Sequence, residues 1–129
     1  MKIFIICLLS SLLILVLCLK AVGKKEVFMV ERMGKFYKEL RRGLYFLIPF
    51  IDRVVKKIPL SEQFIQFTYN NIVIRISYVI INNKDYTYSV KNPVKELKKI
   101  IFDNLDNDIE LINEKISCLG IKLVKLSKK

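Results

Sequence analysis

The chain opens with an apolar run that carries no charge from Ile3 to Leu19. Ala21 and Val22 extend the run past Lys20, whose long side chain can reach the headgroup layer. A helix rises about 1.5 Å per residue, so about 20 residues cross a hydrocarbon core of about 30 Å. The pattern predicts a transmembrane anchor with its basic flank over residues 1–25. A cleaved signal peptide is the alternative, but the run is longer than the apolar centre of such a peptide.

After the anchor, apolar and polar residues alternate over short distances. Val27 to Val30 is apolar and rich in β-forming residues, and Gly34 offers a turn before Phe36, which predicts a hairpin. The next apolar run, Leu44 to Ile51, contains Pro49 and is therefore not typical of a central strand. We expect this run to lie partly in the lipid interface.

The middle of the chain reads as strands. Phe64 to Tyr69 and Ile72 to Ile81 alternate in the manner of a half-buried antiparallel sheet, and Asn70 and Asn71 between them are typical turn residues. The alternation of apolar residues from Tyr86 to Val90 predicts a short third strand.

The period changes at Asn92, which can cap a helix, and Pro93 suits the first helical position. One helical face then carries Val94, Leu97, Ile101 and Leu105. A second helix is predicted from about Asp106 to Leu119, with Gly120 ending it and a final strand following. The fold class is therefore α+β: an N-terminal transmembrane helix, then one domain over residues 26–129 with a small antiparallel sheet and two helices.

Positive charge is concentrated next to the anchor. The chain has 23 Lys and Arg against 12 Asp and Glu, a formal charge of +11. Between Lys20 and Lys57, eleven basic residues stand against four acidic ones, which gives +7. Basic groups beside a membrane favour anionic lipid, although they also fit an ordinary solvated surface. The basic flank usually stays in the cytoplasm, so we predict a single-pass protein with a cytoplasmic C-terminal domain.

Catalytic chemistry is missing from the sequence. There is no His, and no Ser, Cys or Thr stands in a spacing that indicates a nucleophile with a base. The four glycines are isolated, so no phosphate-binding loop is present, and the acidic residues from Asp103 to Glu110 lack the central glycine of a calcium loop. We therefore expect no enzyme activity, no cofactor and no metal, and, with an anchor so close, no nucleic-acid partner.

The densest motif is the stretch Val30 to Val54, VERMGKFYKELRRGLYFLIPFIDRV. It resembles the pattern ERxGKxxxxLxPGLxFxIPFIDRV of the stomatin and paraslipin branch of the SPFH, or band 7, family. The family-motif residues are Glu31, Arg32, Gly34, Lys35, Gly43, Asp52 and Arg53. Arg42 replaces the proline that usually precedes the glycine of this pattern.

The resemblance implies a membrane-anchored, non-catalytic scaffold that self-associates, organises membrane microdomains and regulates membrane proteases or channels. Compared with the family pattern, the helical part is shortened and the C-terminal coiled coil is missing. The alternatives are an adaptor that docks a membrane protease or channel without forming large oligomers, and a decayed, non-functional member.

The predicted membrane contact combines basic and apolar side chains next to the anchor, and the expected partners are membrane lipids, chiefly anionic ones, and further copies of the chain. Its residues are Lys20, Lys24, Lys25, Arg41, Arg42, Leu44, Phe46, Ile48, Pro49, Phe50 and Ile51.

Overall fold

A computed structural model describes all residues from Met1 to Lys129. Contacts within the chain divide it into two compact units, Met1–Lys57 and Ile58–Lys129. The α+β class is confirmed, but the strands form three small sheets where the sequence predicted one.

The first unit begins with a helix and continues with strands. Its elements are α1 (Lys2–Cys18), β1 (Leu19–Val22), β2 (Glu26–Arg32), β3 (Lys35–Leu40), β4 (Gly43–Phe46) and the start of β5 (Asp52–Pro59). Strands β1 and β4 form an antiparallel ribbon, and β2 lies between β3 and β5 in a second sheet. A small core, Val22, Phe28, Val30, Leu40 and Leu47, lies under these strands.

The apolar N-terminal run is not helical throughout, which corrects the predicted anchor over 1–25. The helix ends at Cys18, where the Leu47 N–H donates to the Cys18 carbonyl at 2.8 Å, and the chain turns into β1. Pairing with β4 and burial of Val22 in the core stabilise this strand. None of the helices combines the length and the apolar character needed to span a bilayer.

The predicted hairpin around Gly34 is confirmed. Strands β2 and β3 pair antiparallel through a turn in which Met33 and Gly34 both have positive φ, 51° and 80°. Two successive residues with positive φ match the right-handed twist of the flanking strands.

The second unit packs helices on one sheet. Its elements are β6 (Gln63–Tyr69), β7 (Ile72–Ile80), α2 (Asn83–Tyr88), α3 (Pro93–Asp103), α4 (Ile109–Ile116), a 3-10 turn (Ser117–Leu119) and β8 (Ile121–Lys128). The sheet has the antiparallel order β6-β7-β8, and α4 packs against both β8 and α3. The predicted return of the last strand to the sheet is confirmed.

The turn between β6 and β7 also follows the prediction, whereas the third strand does not. Asn70 and Asn71 have φ of 46° and 65°, a conformation that asparagine tolerates well. Tyr86 to Tyr88, the first part of the predicted strand, instead belong to helix α2, and Val90 lies beyond its end. The helix forms because the Asn82 side chain accepts hydrogen bonds from the backbone N–H groups of Lys84 and Asp85, which caps its first turn.

The two C-terminal helices are confirmed. Pro93 occupies the first turn of α3, and Leu97 and Ile101 on the predicted face are fully buried. The end of the helical region depends on Gly120, whose φ is 69°. A Cβ at Gly120 would lie 2.2 Å from the carbonyl oxygen of Asn82, so only glycine fits there.

Candidate functional site

The β1–β4 ribbon presents an apolar face to the surface. Leu19 lies opposite Phe46, and Ala21 lies opposite Leu44, so these four side chains share one face. All four are exposed, Leu44 at 75% and Phe46 at 55% of their full surface. The opposite face carries Val22, which is buried in the core. The ribbon therefore buries Val22 on the face that also carries the exposed Lys20, and leaves its other, apolar face uncovered.

Helix α1 joins this face directly, because it ends at the residue before β1. Every residue of α1 except Cys18 is exposed, and between Ile3 and Leu17 the helix has no charged side chain. We use the name apolar surface for the exposed side chains of α1 together with Leu19, Ala21, Leu44 and Phe46. It is larger than the apolar patches that isolated soluble proteins usually expose.

The loop from Leu47 to Ile51 adds a projecting aromatic ring. Phe50 is fully exposed and adopts a positive φ of 70°, which is strained for a bulky residue. The loop is fixed by Asp52, whose backbone N–H donates to the Ile48 carbonyl at 2.9 Å. The Asp52 carboxylate in turn accepts from the Ile48 N–H at 3.0 Å. Proteins tend to retain such strain at functional sites.

A partly buried ion pair anchors this loop to the hairpin. The Arg32 guanidinium donates to both carboxylate oxygens of Asp52, from Nε at 2.6 Å and from Nη2 at 2.9 Å. The hydrogen bond from Arg32 lowers the pKa of Asp52 from 3.8 to about 2, and the Ile48 N–H acts in the same direction. The same hydrogen bond raises the pKa of Arg32. The Arg32 guanidinium also lies 3.9 Å from the ring centre of Tyr37, in a cation–π contact.

The other charged motif residues form a second, more exposed pair. Arg53 Nη2 lies 3.3 Å from a carboxylate oxygen of Glu31. Glu31 and Arg32 are thus adjacent on β2, and each pairs with the oppositely charged member of the adjacent residues Asp52 and Arg53 on β5. The Met33 N–H donates to the Ile51 carbonyl at 3.1 Å, so the hairpin turn also touches the loop. The sequence motif therefore encodes a clamp, which we call the loop clamp, formed by Glu31, Arg32, Asp52 and Arg53.

The remaining motif residues, Gly34, Lys35 and Gly43, lie in a turn or at the start of a strand. Gly34 has a φ of 80° in the hairpin turn, with open space around the position of a Cβ. Gly43 has a φ of 148° where β4 begins, and Lys35 is exposed at the start of β3. None of these three takes part in the loop clamp.

The basic residues predicted to contact lipid are all exposed. Lys24 and Lys25 lie between β1 and β2, and Arg41 and Arg42 lie between β3 and β4. Because Val22 pairs with Gly43, these two turns meet at the end of the ribbon that is remote from α1. Among the four, only Arg41 has an acidic neighbour in an ion pair, Glu39 at 3.8 Å.

Sequence reasoning missed two features of this site. One is the pairing within the loop clamp, which the shared order of charges, acid then base, in Glu31–Arg32 and Asp52–Arg53 could have indicated. The other is Met33, which is 84% exposed at the hairpin tip and adds an apolar side chain beside the loop. A cavity of about 330 Å³ lies between the end of α1 with Lys20 of β1 on one side and residues 47–49 and 52–54 on the other.

The site contains no arrangement typical of catalysis. No group of three or more cysteine or carboxylate side chains could hold a metal ion. The cysteines are Cys7, Cys18 and Cys118, and none is in a disulfide. The apolar surface, the projecting loop and the basic turns instead form a surface suited to a lipid interface.

Comparison with known proteins agrees with the motif. Residues 20–117 match the SPFH domain / Band 7 family. The chain is 32% identical over 117 residues to the Stomatin-like protein stl-1 of Caenorhabditis elegans, an alignment that covers 74% of this chain and 36% of that protein. It is 28% identical over 134 residues to Stomatin-like protein 2, mitochondrial, of Rattus norvegicus, covering 81% of this chain and 38% of the relative. The human protein of that name is 27% identical. The chain thus spans little more than a third of these relatives.

Proposed function

The chain belongs to the SPFH domain / Band 7 family, and from this premise we propose that it is a membrane-associated, non-catalytic scaffold of stomatin type. The observation that carries the proposal is the apolar surface, which α1 and one face of the β1–β4 ribbon leave uncovered. Removing a leucine or phenylalanine side chain from water contributes about 1.5–3 kcal/mol, so several such side chains favour the bilayer strongly.

The orientation on the membrane follows from the ribbon. With α1 inserted, the ribbon face of Leu44 and Phe46 rests in the interface, and Phe50 reaches it from the neighbouring loop. The turns that carry Lys24, Lys25 and the two arginines then lie in the headgroup layer, where each basic group contributes about 1 kcal/mol against an anionic leaflet. The single-pass topology and the cytoplasmic side of the C-terminal domain stay predictions from the charge pattern.

Self-association is the second part of the proposal. Strands β6 and β8 are the end strands of their sheet, and an end strand offers backbone groups to another chain. The scaffold would thereby form homo-oligomers and hold a membrane protease or channel close to a lipid patch, as the family resemblance implies. An adaptor role without large oligomers would show as a monomer after crosslinking in membranes.

The lipid part is tested with the full chain, synthesised cell-free in the presence of vesicles and separated by flotation. The vesicles contain phosphatidylcholine with or without phosphatidylserine. The variant Lys24→Gln/Lys25→Gln/Arg41→Gln/Arg42→Gln should lose at least about tenfold in binding to the anionic vesicles, and less to the neutral ones. Rising salt should reduce the difference between wild type and variant.

The matched control removes four exposed lysines of the second unit: Lys91, Lys95, Lys99 and Lys122. This variant has the same net charge as the first and should bind like the wild type. Equal losses in both variants would show that only net charge matters, and would contradict the proposed orientation.

A further inference from the structure

The sheet of the second unit has one face that its helices do not cover. On β6 the helix-facing side carries Phe67 and Tyr69, which contact Lys98 and Phe102 of α3. The alternate residues face the other way, and a cavity of about 420 Å³ opens among them. Its polar lining residues are Gln66, Arg75, Ser77, Lys125 and Ser127.

The strand register places four of these side chains in a square. On the central strand β7, Arg75 lies opposite Ser127 of β8, and Ser77 lies opposite Lys125. Side chains opposite each other in an antiparallel pair have Cβ atoms about 5 Å apart. The two cations therefore occupy one diagonal of the square and the two hydroxyls the other, so that all four can donate to one small group.

Ser77 has an unusual position in this square. Ser77 is only 4% exposed, and its hydroxyl has no hydrogen-bond partner in the protein. Buried hydroxyls are nearly always hydrogen-bonded, because the lost bonds to water are costly. The cavity is where a ligand could supply the missing acceptor.

The charges in the cavity are positive and oriented. Arg75 donates from Nε to the Gln66 side-chain oxygen at 2.9 Å, which fixes the guanidinium plane. No acidic side chain lines the cavity, and neither Arg75 nor Lys125 is in an ion pair. The exposed ring of Phe64, opposite Ser77 on β6, adds an apolar wall.

We propose that this face binds the phosphate group of a phosphomonoester. A tetrahedral phosphate offers three terminal oxygens, each with more than one lone pair, to the guanidinium, the ammonium group and the two hydroxyls. Phe64 contacts the carbon skeleton that carries the phosphate. The site lies wholly within the second unit and is separate from the apolar surface.

The test uses the full chain in uncharged detergent micelles, labelled with ¹⁵N at serine. Inorganic phosphate, glycerol 3-phosphate, acetate and chloride are titrated at equal ionic strength. Saturable shifts of the Ser77 and Ser127 amides are expected with the two phosphates and at least about tenfold weaker ones with acetate and chloride. The other five serines, Ser10, Ser11, Ser61, Ser89 and Ser117, report non-specific effects.

Phosphatidic acid mixed into the micelles identifies the source of the phosphate. A shift with glycerol 3-phosphate alone indicates a soluble ligand, and a stronger response to phosphatidic acid indicates a lipid headgroup. Both results support the site.

Two substitutions on β8 decide whether the square is responsible. Lys125→Gln should weaken the phosphate response at least about tenfold, since it removes one of two cations. Lys122→Gln removes an equal charge from an exposed position on the same strand and should change the phosphate response less than about twofold. Equal losses in the two variants, or equal responses to phosphate and acetate, would overturn the proposal.

Discussion

The two units of the chain differ in how far their apolar side chains are buried. In the second unit five large aliphatic side chains of α3, α4 and β7 are fully buried: Ile74, Leu97, Ile101, Ile112 and Ile116. In the first unit only a small core is buried, while Leu44, Phe46, Phe50 and nearly all of α1 stay exposed. The uncovered face of the second unit's sheet carries polar and basic side chains beside the exposed ring of Phe64.

This difference separates the apolar residues that stabilise the fold from those that are available to an interface. A core residue stabilises the chain by itself, because the rest of the chain removes it from water. An exposed apolar residue contributes that free energy only when another phase or molecule covers it. The family motif lies in the first unit, so the proposed membrane contact would explain its apolar positions as much as folding does.

The largest expected effect is the difference in the free energy of unfolding between alanine variants at two glycines with similar φ. Gly120→Ala should lower the free energy of unfolding of the full chain in micelles by about 4 kcal/mol, because the new methyl overlaps the Asn82 carbonyl and the Tyr86 nitrogen. Gly34→Ala, at φ 80° in open space, should cost only about 1 kcal/mol. Urea unfolding followed by circular dichroism measures both, and equal costs would contradict the packing around Gly120.

The next effect compares a core and a surface residue directly. Ile116→Ala should cost about 3 kcal/mol, since the side chain is fully buried on α4. Phe46→Ala should change the free energy of unfolding by less than about 0.5 kcal/mol and instead weaken flotation with vesicles. A large loss of stability from Phe46→Ala would mean that the ribbon face is part of a core after all.

A smaller effect concerns the loop clamp and depends on pH. The pKa of Asp52 is lowered from 3.8 to about 2 by Arg32, so its stabilising contribution is present above pH 3.8 and is lost as pH falls towards 2. The wild-type urea midpoint should therefore decline in this interval. Asp52→Asn should lower the midpoint at neutral pH and reduce the decline, because the titrating carboxylate is gone.

The Glu31→Gln variant is the control for that experiment. Glu31 pairs with an exposed Arg53 side chain, so this substitution should leave most of the acid dependence in place. An unchanged decline in Asp52→Asn would show that other carboxylates cause it.

Much of the fold could be predicted from sequence where local signals agree. Asn70 with Asn71, Pro93 and Gly120 each require a specific backbone conformation, and all lie at the predicted boundaries. The sequence failed at Leu19 to Val22 and at α2. In the first case apolar residues continued a helical pattern, but pairing with a distant strand ended the helix. In the second the Asn82 cap outweighed the alternation of tyrosines.

The candidate site was predictable as a list of residues but not as an arrangement. The resemblance identified Arg32 and Asp52 as motif residues, yet their hydrogen bonds join positions 20 residues apart, so neither segment taken alone reveals the pairing. The polar square on β7 and β8 was not predicted from the sequence, for a similar reason. Its residues look like the ordinary solvated side of a strand until the register places Ser77 beside Lys125.

The central claim is that the apolar surface of the first unit inserts among the acyl chains of the membrane, whereas no part of the second unit does. The chain has no tryptophan, so Phe46→Trp and Phe64→Trp each provide a single fluorescent reporter on an exposed aromatic position, one in each unit. In vesicles that contain brominated acyl chains, the fluorescence of Phe46→Trp should shift to the blue and be strongly quenched, while that of Phe64→Trp stays unquenched. Equal quenching of both, or none at Phe46→Trp, would contradict the account.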